Sequence, residues 1–387
     1  MADIVVQALS KQFGNRKGVL RAVDNVSVHV AEGELLVLLG PSGCGETTAL
    51  RCVAGLENPD SGSIRFGEQV VYDRGLGRNV PIHRRDIGFT FQNYALWPHM
   101  KAFDNVRFPL RARGISASES VKRVREVAAL LDLRGDLLEK HPGQLSGGQQ
   151  QRVAPARALV AEPSVVLFDE PLSNLDARLR EQLRLELRSL HRRVGFTGVY
   201  VTHDLAEALA LGDRIAVMRE GRIVQVGAPA EVFEHPLHVS TARLLGLRRI
   251  SSISNAAGPW RTTAGGVVLG DLPAGRSDGV HELLAYTDKV RLRGIGEPTS
   301  GEVHVHGGVI EQLTEAVTHF QVVLAMGSER VRLSQEKDRL GPLREGESVV
   351  IDAPRSAIHL FDPEGGALGV PQAAGIKAEA ATPILAE

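Results

Sequence analysis

The chain has 387 residues, 45 Lys+Arg against 46 Asp+Glu and a formal net charge of −1, a balance that excludes binding to nucleic acid or an anionic membrane by bulk charge. Its 43% hydrophobic content is enough for the cores of two or three ordinary domains. Two cysteines, Cys44 and Cys52, exclude a disulfide scaffold and fit a reducing compartment. The opening MADIVVQALSK lacks the features of a secretory signal, and no apolar run reaches the ~18 residues of a membrane span. A soluble, cytoplasmic chain is expected.

In chain order, Leu35-Leu36-Val37-Leu38-Leu39 predicts a strand buried on both faces. It runs into GPSGCGETT, Gly40 to Thr48, and then an apolar helix through Ala49, Leu50, Val53 and Ala54. A strand, a glycine loop and a helix N-terminus together make a phosphate cradle, because glycines let backbone N–H groups converge on an anion. Thr47 stands where a hydroxyl binds Mg²⁺. Glu46 stands where G-x-x-x-x-G-K-[ST] has lysine. A carboxylate there loses an attraction and adds a repulsion, each on the order of 4 kcal/mol at about 4 Å and an effective dielectric near 20. Side-chain reorientation, proton uptake or Mg²⁺ can each offset it. Cys44 reads as a thiolate favoured by the helix N-terminus or as a small filler, and the filler is preferred.

Further along, Ser116 with Glu119 predicts a capping box opening a helix with Val121, Val124, Ala128 and Leu131 on one stripe. LSGGQ, Leu145 to Gln149, opens another helix whose N-terminus is a second anion-ready site. Pro155 in that helix, QRVAPARAL, predicts a kink that misaims Ser146 and Gly148. VVLFDE, Val165 to Glu170, is an apolar strand ending in two acids: in a P-loop enzyme Asp169 suits Mg²⁺ through water and Glu170 polarisation of an attacking water, while on its own such a strand end reads equally as a helix cap. Leu179, Leu183, Leu187, Leu190 and Val194 form a core-facing helical stripe, and Gly198-Val199-Tyr200-Val201 another buried strand. Past about residue 240 helical periodicity disappears. Gly308-Val309-Ile310, Phe320 to Leu324 and Ser348 to Ile351 predict a small antiparallel β domain, and the Ala/Gly/Pro-rich stretch from Gly366 a tail without regular structure. Of 13 histidines only His203 lies in a motif, and none has metal-ligand spacing.

The P-loop, Gln92 in FQNYALWPHM, LSGGQ, VVLFDE, SNLD (Ser173 to Asp176) and VTHD (Val201 to Asp204) follow in an order and spacing that resembles ATP-binding-cassette (ABC) transporter ATPases. The resemblance covers about residues 1–240. The remainder is similar, more loosely, to the TOBE-type regulatory domain of importer ATPases for sugars, polyamines, iron(III), sulfate or phosphonates. It implies an α/β P-loop nucleotide-binding domain (1–240) with a helical subdomain at about 93–160. A C-terminal all-β, OB-like domain (241–365) and the tail (366–387) follow.

The resemblance also implies ATP and Mg²⁺ as ligands and a head-to-tail dimer of this chain or of paired ATPase subunits. In such a dimer Phe13 stacks on adenine, while Gly40, Ser42, Gly43, Cys44, Gly45, Glu46, Thr47 and Thr48 surround the phosphates. Gln92 contacts Mg²⁺ and the water, together with Thr47 and Asp169 as the metal set; Glu170 and His203 complete the catalytic group. Ser146, Gly147, Gly148 and Gln149 close on the partner's nucleotide, and Asp176 senses the opposite site. Transmembrane permease subunits dock near Tyr94–Met100, local core packing being the other reading of those side chains. A solute-binding protein acts indirectly, nucleic acid has no part, and the chain sits on the inner face of the cell membrane. Two departures are smaller: Leu205 where glutamine often follows VTHD, and Lys101 where threonine is usual. The implied role is to energise an importer by hydrolysing ATP, with turnover reduced by Glu46; the alternative is a catalytically impaired binding or regulatory subunit.

Overall fold

The computed structural model describes residues 1–15, 18–254, 261–262, 268–270, 280–294, 303–327, 329–337 and 343–368. Its contacts divide it into two units, Met1–Ala230 and Glu231–Ile384, a division ahead of the composition change near residue 240.

In the first unit β1 (Ile4–Asn15) and β2 (Gly18–Val30) form an antiparallel hairpin. Next, β3 (Leu35–Leu39), buried at every residue, runs through the glycine loop into α1 (Glu46–Ala54). The strands β4 (Ser61–Phe66), β5 (Gln69–Asp73) and β6 (Arg78–Asn79) extend the hairpin to a sheet of order β2-β1-β4-β5-β6. After β7 (Ile87–Thr90) come four helices, α2 (Ala102–Ala112), α3 (Ala117–Leu130), α4 (Gly135–Leu138) and α5 (Gly147–Leu159). The chain then alternates through β8 (Val165–Asp169), α6 (Ala177–Val194), β9 (Gly198–Thr202), α7 (Leu205–Leu211), β10 (Arg214–Arg219) and β11 (Arg222–Gly227).

The second sheet has the order β11-β10-β3-β9-β8-β7, parallel except for β11. Leu50 and Val53 of α1 share one apolar core with Ile4 and Leu9 of the first sheet and Leu36, Leu167 and Val201 of the second. That core fixes where the C-terminal ends of β3, β8 and β9 emerge, the edge at which open α/β sheets bind ligands.

One local expectation changes, and two prolines lie inside helices. Ser116 caps α3 by accepting from Glu119 N at 3.3 Å, but the Glu119 carboxylate turns to Arg123 Nε at 2.7 Å, so only half of the capping box forms. The helix α5 runs on through a buried Pro155, and at its start Ser146 and Gln149 close a complete capping box. The proline removes one backbone donor a third turn into the helix, while the first turn is fixed by its own side chains. Pro109, which the sequence reading passes over, lies inside α2 in the same way.

The second unit is built from two antiparallel sheets. One contains β12 (Arg248–Ser254), β13 (Arg261–Thr262), β15 (His281–Ala285), β21 (Ile358–Phe361) and β22 (Ala367–Leu368). The other joins β16 (Arg291–Gly294), β20 (Ser348–Ala353), β17 (Val303–Glu315), β18 (His319–Met326) and β19 (Glu329–Glu336), with β14 (Val268–Gly270) pairing to β17. Ile250, Leu283 and Leu360 of the first meet Val305, Leu324 and Ile351 of the second in a common core. Of the expected tail, Ala367–Leu368 is a strand on β21, and residues 369–387 lie outside the described residues.

Candidate nucleotide site

The loop between β3 and α1 is a turn that only glycine allows at two points. Gly43 and Gly45 have φ of 85° and 107°, and a Cβ on Gly45 would lie 1.9 Å from Ala22 O. Gly221 N donates to Cys44 O at 2.8 Å and anchors the loop to the β10–β11 turn. Pro41, Ser42 and Gly43 stand exposed. With Gly45 as an N-cap that offers no side-chain oxygen, the first-turn N–H groups of α1 remain available to an anion.

Glu46 does not swing out. It is 6% exposed, and its Oε1 lies 2.7 Å from where a Cβ on Gly40 would be. Burial pushes its carboxyl pKa up, with the Cys44 thiol hydrogen bond opposing. Cys44 is buried beside it, and desolvation with the neighbouring Glu46 drives the thiol pKa upward. The thiolate reading therefore fails: a buried carboxyl outweighs the helix N-terminus, and Cys44 is the small filler of the loop.

At the ends of β3, β8 and β9 the predicted acids and hydroxyls converge. Thr47 Oγ1 donates to Asp169 Oδ1 at 3.0 Å, and Arg51 Nη2 reaches Asp169 Oδ2 at 3.3 Å. Asp169 is buried, and desolvation raises its pKa against those two partners. The hydroxyl and carboxylate are hard oxygen donors suited to Mg²⁺. The next residue, Glu170, is held at φ 43°, with Ser173 Oγ donating to its carbonyl at 3.0 Å. Its carboxylate accepts from Gln92 Nε2 at 3.3 Å and faces His203 Nδ1 at 3.3 Å. Thus Thr47, Gln92, Asp169, Glu170 and His203 form one cluster from four segments of chain.

Other predicted residues stand apart from that cluster. Phe13, 38% exposed, has Lys11 Nζ 4.9 Å from its ring centre. The signature residues Ser146 and Gln149 hydrogen-bond within their own turn, and a Cβ on Gly148 would meet Leu179 of α6 at 3.2 Å. Asp176 caps α6 by accepting from Leu179 N at 3.0 Å. Tyr94 corrects the expected docking loop: it is buried, while Ala95, Pro98 and His99 are exposed.

Four residues escaped the sequence reading. Arg51 pairs with Asp169. Glu207, 2% exposed, accepts from Tyr200 Oη and Thr202 Oγ1, each at 2.8 Å, and so fixes the strand end before His203. Asn105, fully buried, and Arg157, 7% exposed, hold the segment after Gln92. For Glu207 and Arg157 the signal is a polar residue flanked by alanines on a helix, legible as burial and silent about its partner; Arg51 is exposed and Asn105 follows an aspartate, and neither carries that signal.

The ABC transporter family profile matches residues 23–173. The trehalose/maltose import ATP-binding protein MalK of Thermococcus litoralis is 41% identical over 385 residues, spanning 95% of this chain and 99% of that protein. The chain belongs to the ABC transporter family. The sn-glycerol-3-phosphate import ATP-binding protein UgpC of Cupriavidus pinatubonensis is 38% identical, covering 95% of this chain and 99% of its own length. Among solved structures, a dimeric ATP-binding cassette in a post-hydrolysis state, bound to ADP and phosphate, aligns with a TM-score of 0.51 at 32% identity. It covers 58% of this chain and 98% of its own. The fold is that of an ABC-type P-loop cassette with further strand-rich sheets C-terminal to it. Among the described residues no helix is long and apolar enough to cross a membrane.

Proposed function

We propose that this ABC protein is the ATP-binding and ATP-hydrolysing subunit of an importer in the cytoplasmic membrane, with nucleotide affinity and turnover lowered by Glu46. The observation that carries this reading is the convergence of Thr47, Gln92, Asp169, Glu170 and His203 beside a glycine loop at the ends of parallel strands. In it the loop and the N-terminus of α1 hold the phosphates through backbone N–H groups. Thr47, Asp169 and Gln92 would hold Mg²⁺, which would supply positive charge against the phosphates. Glu170, fixed by Gln92 and His203, accepts the proton of the attacking water, while His203 donates to the γ-phosphate. Phe13 offers its ring to adenine.

Two copies act head to tail, Ser146, Gly147, Gly148 and Gln149 of one closing on the nucleotide of the other and Asp176 facing the opposite site. The exposed part of 95–100, with half-buried Leu96, Trp97 and Met100, takes the permease subunits, which in turn receive cargo from a solute-binding protein. The relatives are named for trehalose/maltose and sn-glycerol-3-phosphate import; a small polyhydroxylated solute is the cargo class they support.

The test is Mg·ATP binding and phosphate release by the purified full chain beside Glu46→Lys. Native protein is expected to bind weakly and turn over slowly, and the variant to gain in both. If neither protein binds Mg·ATP, the nucleotide reading is overturned. If the variant binds and neither hydrolyses, the second reading holds, that of an impaired binding subunit, which the buried Glu46 carboxyl favours.

A further inference from the structure

We propose that Arg157 is a positioning residue for Gln92: it clamps two successive carbonyls of the segment after Gln92 and thereby sets where the Gln92 amide stands against Glu170. The inference rests on the ATPase reading only for the rate it changes, not for the geometry.

Arg157 lies on α5, eleven residues from the Ser146 cap or about 16 Å along the helix. It is 7% exposed, with burial bringing its pKa down to about 10, so it stays charged at neutral pH. Nη1 donates to Ala95 O at 2.6 Å and Nη2 to Tyr94 O at 2.7 Å, and the guanidinium carbon stands 5.0 Å from the Trp97 ring centre. Among the described residues it has no carboxylate within ion-pair distance. A buried cation satisfied by two carbonyls and a π face is a poor source of stability but a rigid fork for fixing two peptide planes.

The planes it fixes are unusual. Tyr94 and Ala95 have φ of 61° and 45°, left-handed conformations at residues with a Cβ. Such conformations persist where surrounding structure over-determines them. Tyr94 N closes a turn onto Phe91 O at 2.9 Å, and that turn contains Gln92. Gln92 Nε2 then reaches Glu170 Oε2 and Ser173 Oγ, each at 3.3 Å, while Asn174 Nδ2 holds Gln92 O at 3.1 Å. Downstream, Asn105 of α2 accepts from Trp97 N at 2.8 Å and donates to Trp97 O at 3.1 Å. The loop is therefore pinned from two helices, and the α5 pin is on the helix that begins at the signature turn. A displacement of α5 carries Arg157, and with it Tyr94, Ala95 and the turn that holds Gln92.

The experiment uses Arg157→Lys, which keeps the charge but cannot fork across two carbonyls, in full-length chain carrying Trp260→Phe so that Trp97 is the sole tryptophan. Acrylamide quenching of Trp97 without nucleotide is expected to rise at least twofold while the thermal midpoint moves little. Unchanged quenching overturns the clamp, whether or not ATP is hydrolysed. In a Glu46→Lys background kcat is expected to fall about tenfold with KM for Mg·ATP within twofold. Adding Gln92→Ala is expected to produce no further multiplicative loss, because both changes remove the same placement. A fully multiplicative double variant, or a loss confined to KM, overturns the assignment. Should Arg157→Lys unfold, Arg157→Gln serves as second variant, because its amide can donate to one of the two carbonyls but cannot fork across both. Trp97 quenching that stays unchanged in the folded Arg157→Gln protein likewise overturns the clamp.

Discussion

Replacing Glu46 separates two effects that the buried carboxyl combines. A lysine in the loop attracts a phosphate by on the order of 4 kcal/mol at about 4 Å and an effective dielectric near 20, and a carboxylate repels it by a similar amount. The repulsion, however, has a ceiling. A carboxyl with an ordinary pKa can be neutralised at pH 7.5 for about 4 kcal/mol, at 1.36 kcal/mol per unit. Burial has already raised the Glu46 pKa, which lowers that ceiling.

Glu46→Gln thus removes a penalty already softened by proton uptake, whereas Glu46→Lys adds an attraction nothing else in the loop supplies. The expected gain in Mg·ATP affinity is about tenfold or less for glutamine and a further factor of about 100 or more for lysine, since 1.4 kcal/mol is tenfold. Isothermal titration on the three proteins at fixed salt measures both steps, and repeating it at pH 6 should narrow the difference between native protein and the glutamine variant. Equal gains from glutamine and lysine would refute the charge argument, leaving shape as the cause. A native protein that binds as tightly as the lysine variant would refute it altogether.

Glu46→Gln also tests folding: a carboxyl whose folded pKa is raised loses stability as pH climbs from the ordinary carboxylate range to that raised value, then levels off. The variant should melt higher than native protein at pH 7.5 and alike at pH 4, by calorimetry. Lys101 starts α2 without a side-chain cap and makes an ion pair with Glu139 at 2.8 Å between exposed groups; Lys101→Thr is expected to stabilise by about 1 kcal/mol, seen as a rise in the urea midpoint. Pro155→Ala restores a donor inside α5 and is expected to gain about 1–2 kcal/mol net of the lost ring contacts, an unchanged midpoint counting against it. In the second unit His359 is held neutral by burial, its pKa down to about 4; a lowered histidine contributes stability above about 6.5 that is lost as pH falls toward 4, on the order of 3 kcal/mol. His359→Leu should flatten the acid limb of the transition that carries it.

The parts of this molecule legible from sequence are those where one local signal fixes both element and role. Leu35–Leu39 could only be a doubly buried strand, and glycines at 43 and 45 announce a turn whose φ values no other residue shares comfortably. The acids ending β8 declared themselves by breaking an apolar run. What stayed hidden depends on contacts across long separations. Arg157 meets carbonyls 62 and 63 residues away, and Arg51 meets Asp169 across 118 residues.

The same difference explains the expectations that failed. Glu119 has the spacing of a capping-box partner for Ser116, yet its carboxylate turns to Arg123 within the helix. Tyr94 was judged by its place after Gln92, yet its left-handed turn folds the ring inward and leaves Ala95, Pro98 and His99 outside. Glu46 is the reverse case: its sign was legible at once, while its rotamer decides the magnitude. A carboxylate in solvent would leave the cradle nearly intact, but one hydrogen-bonded to Cys44 inside the loop must be neutralised, displaced or endured by any phosphate that enters. Under the proposed function Glu46 acts on the occupancy of the site rather than on its assembly, since the surrounding Thr47–Asp169 and Gln92–Glu170–His203 contacts are formed with the acid in place.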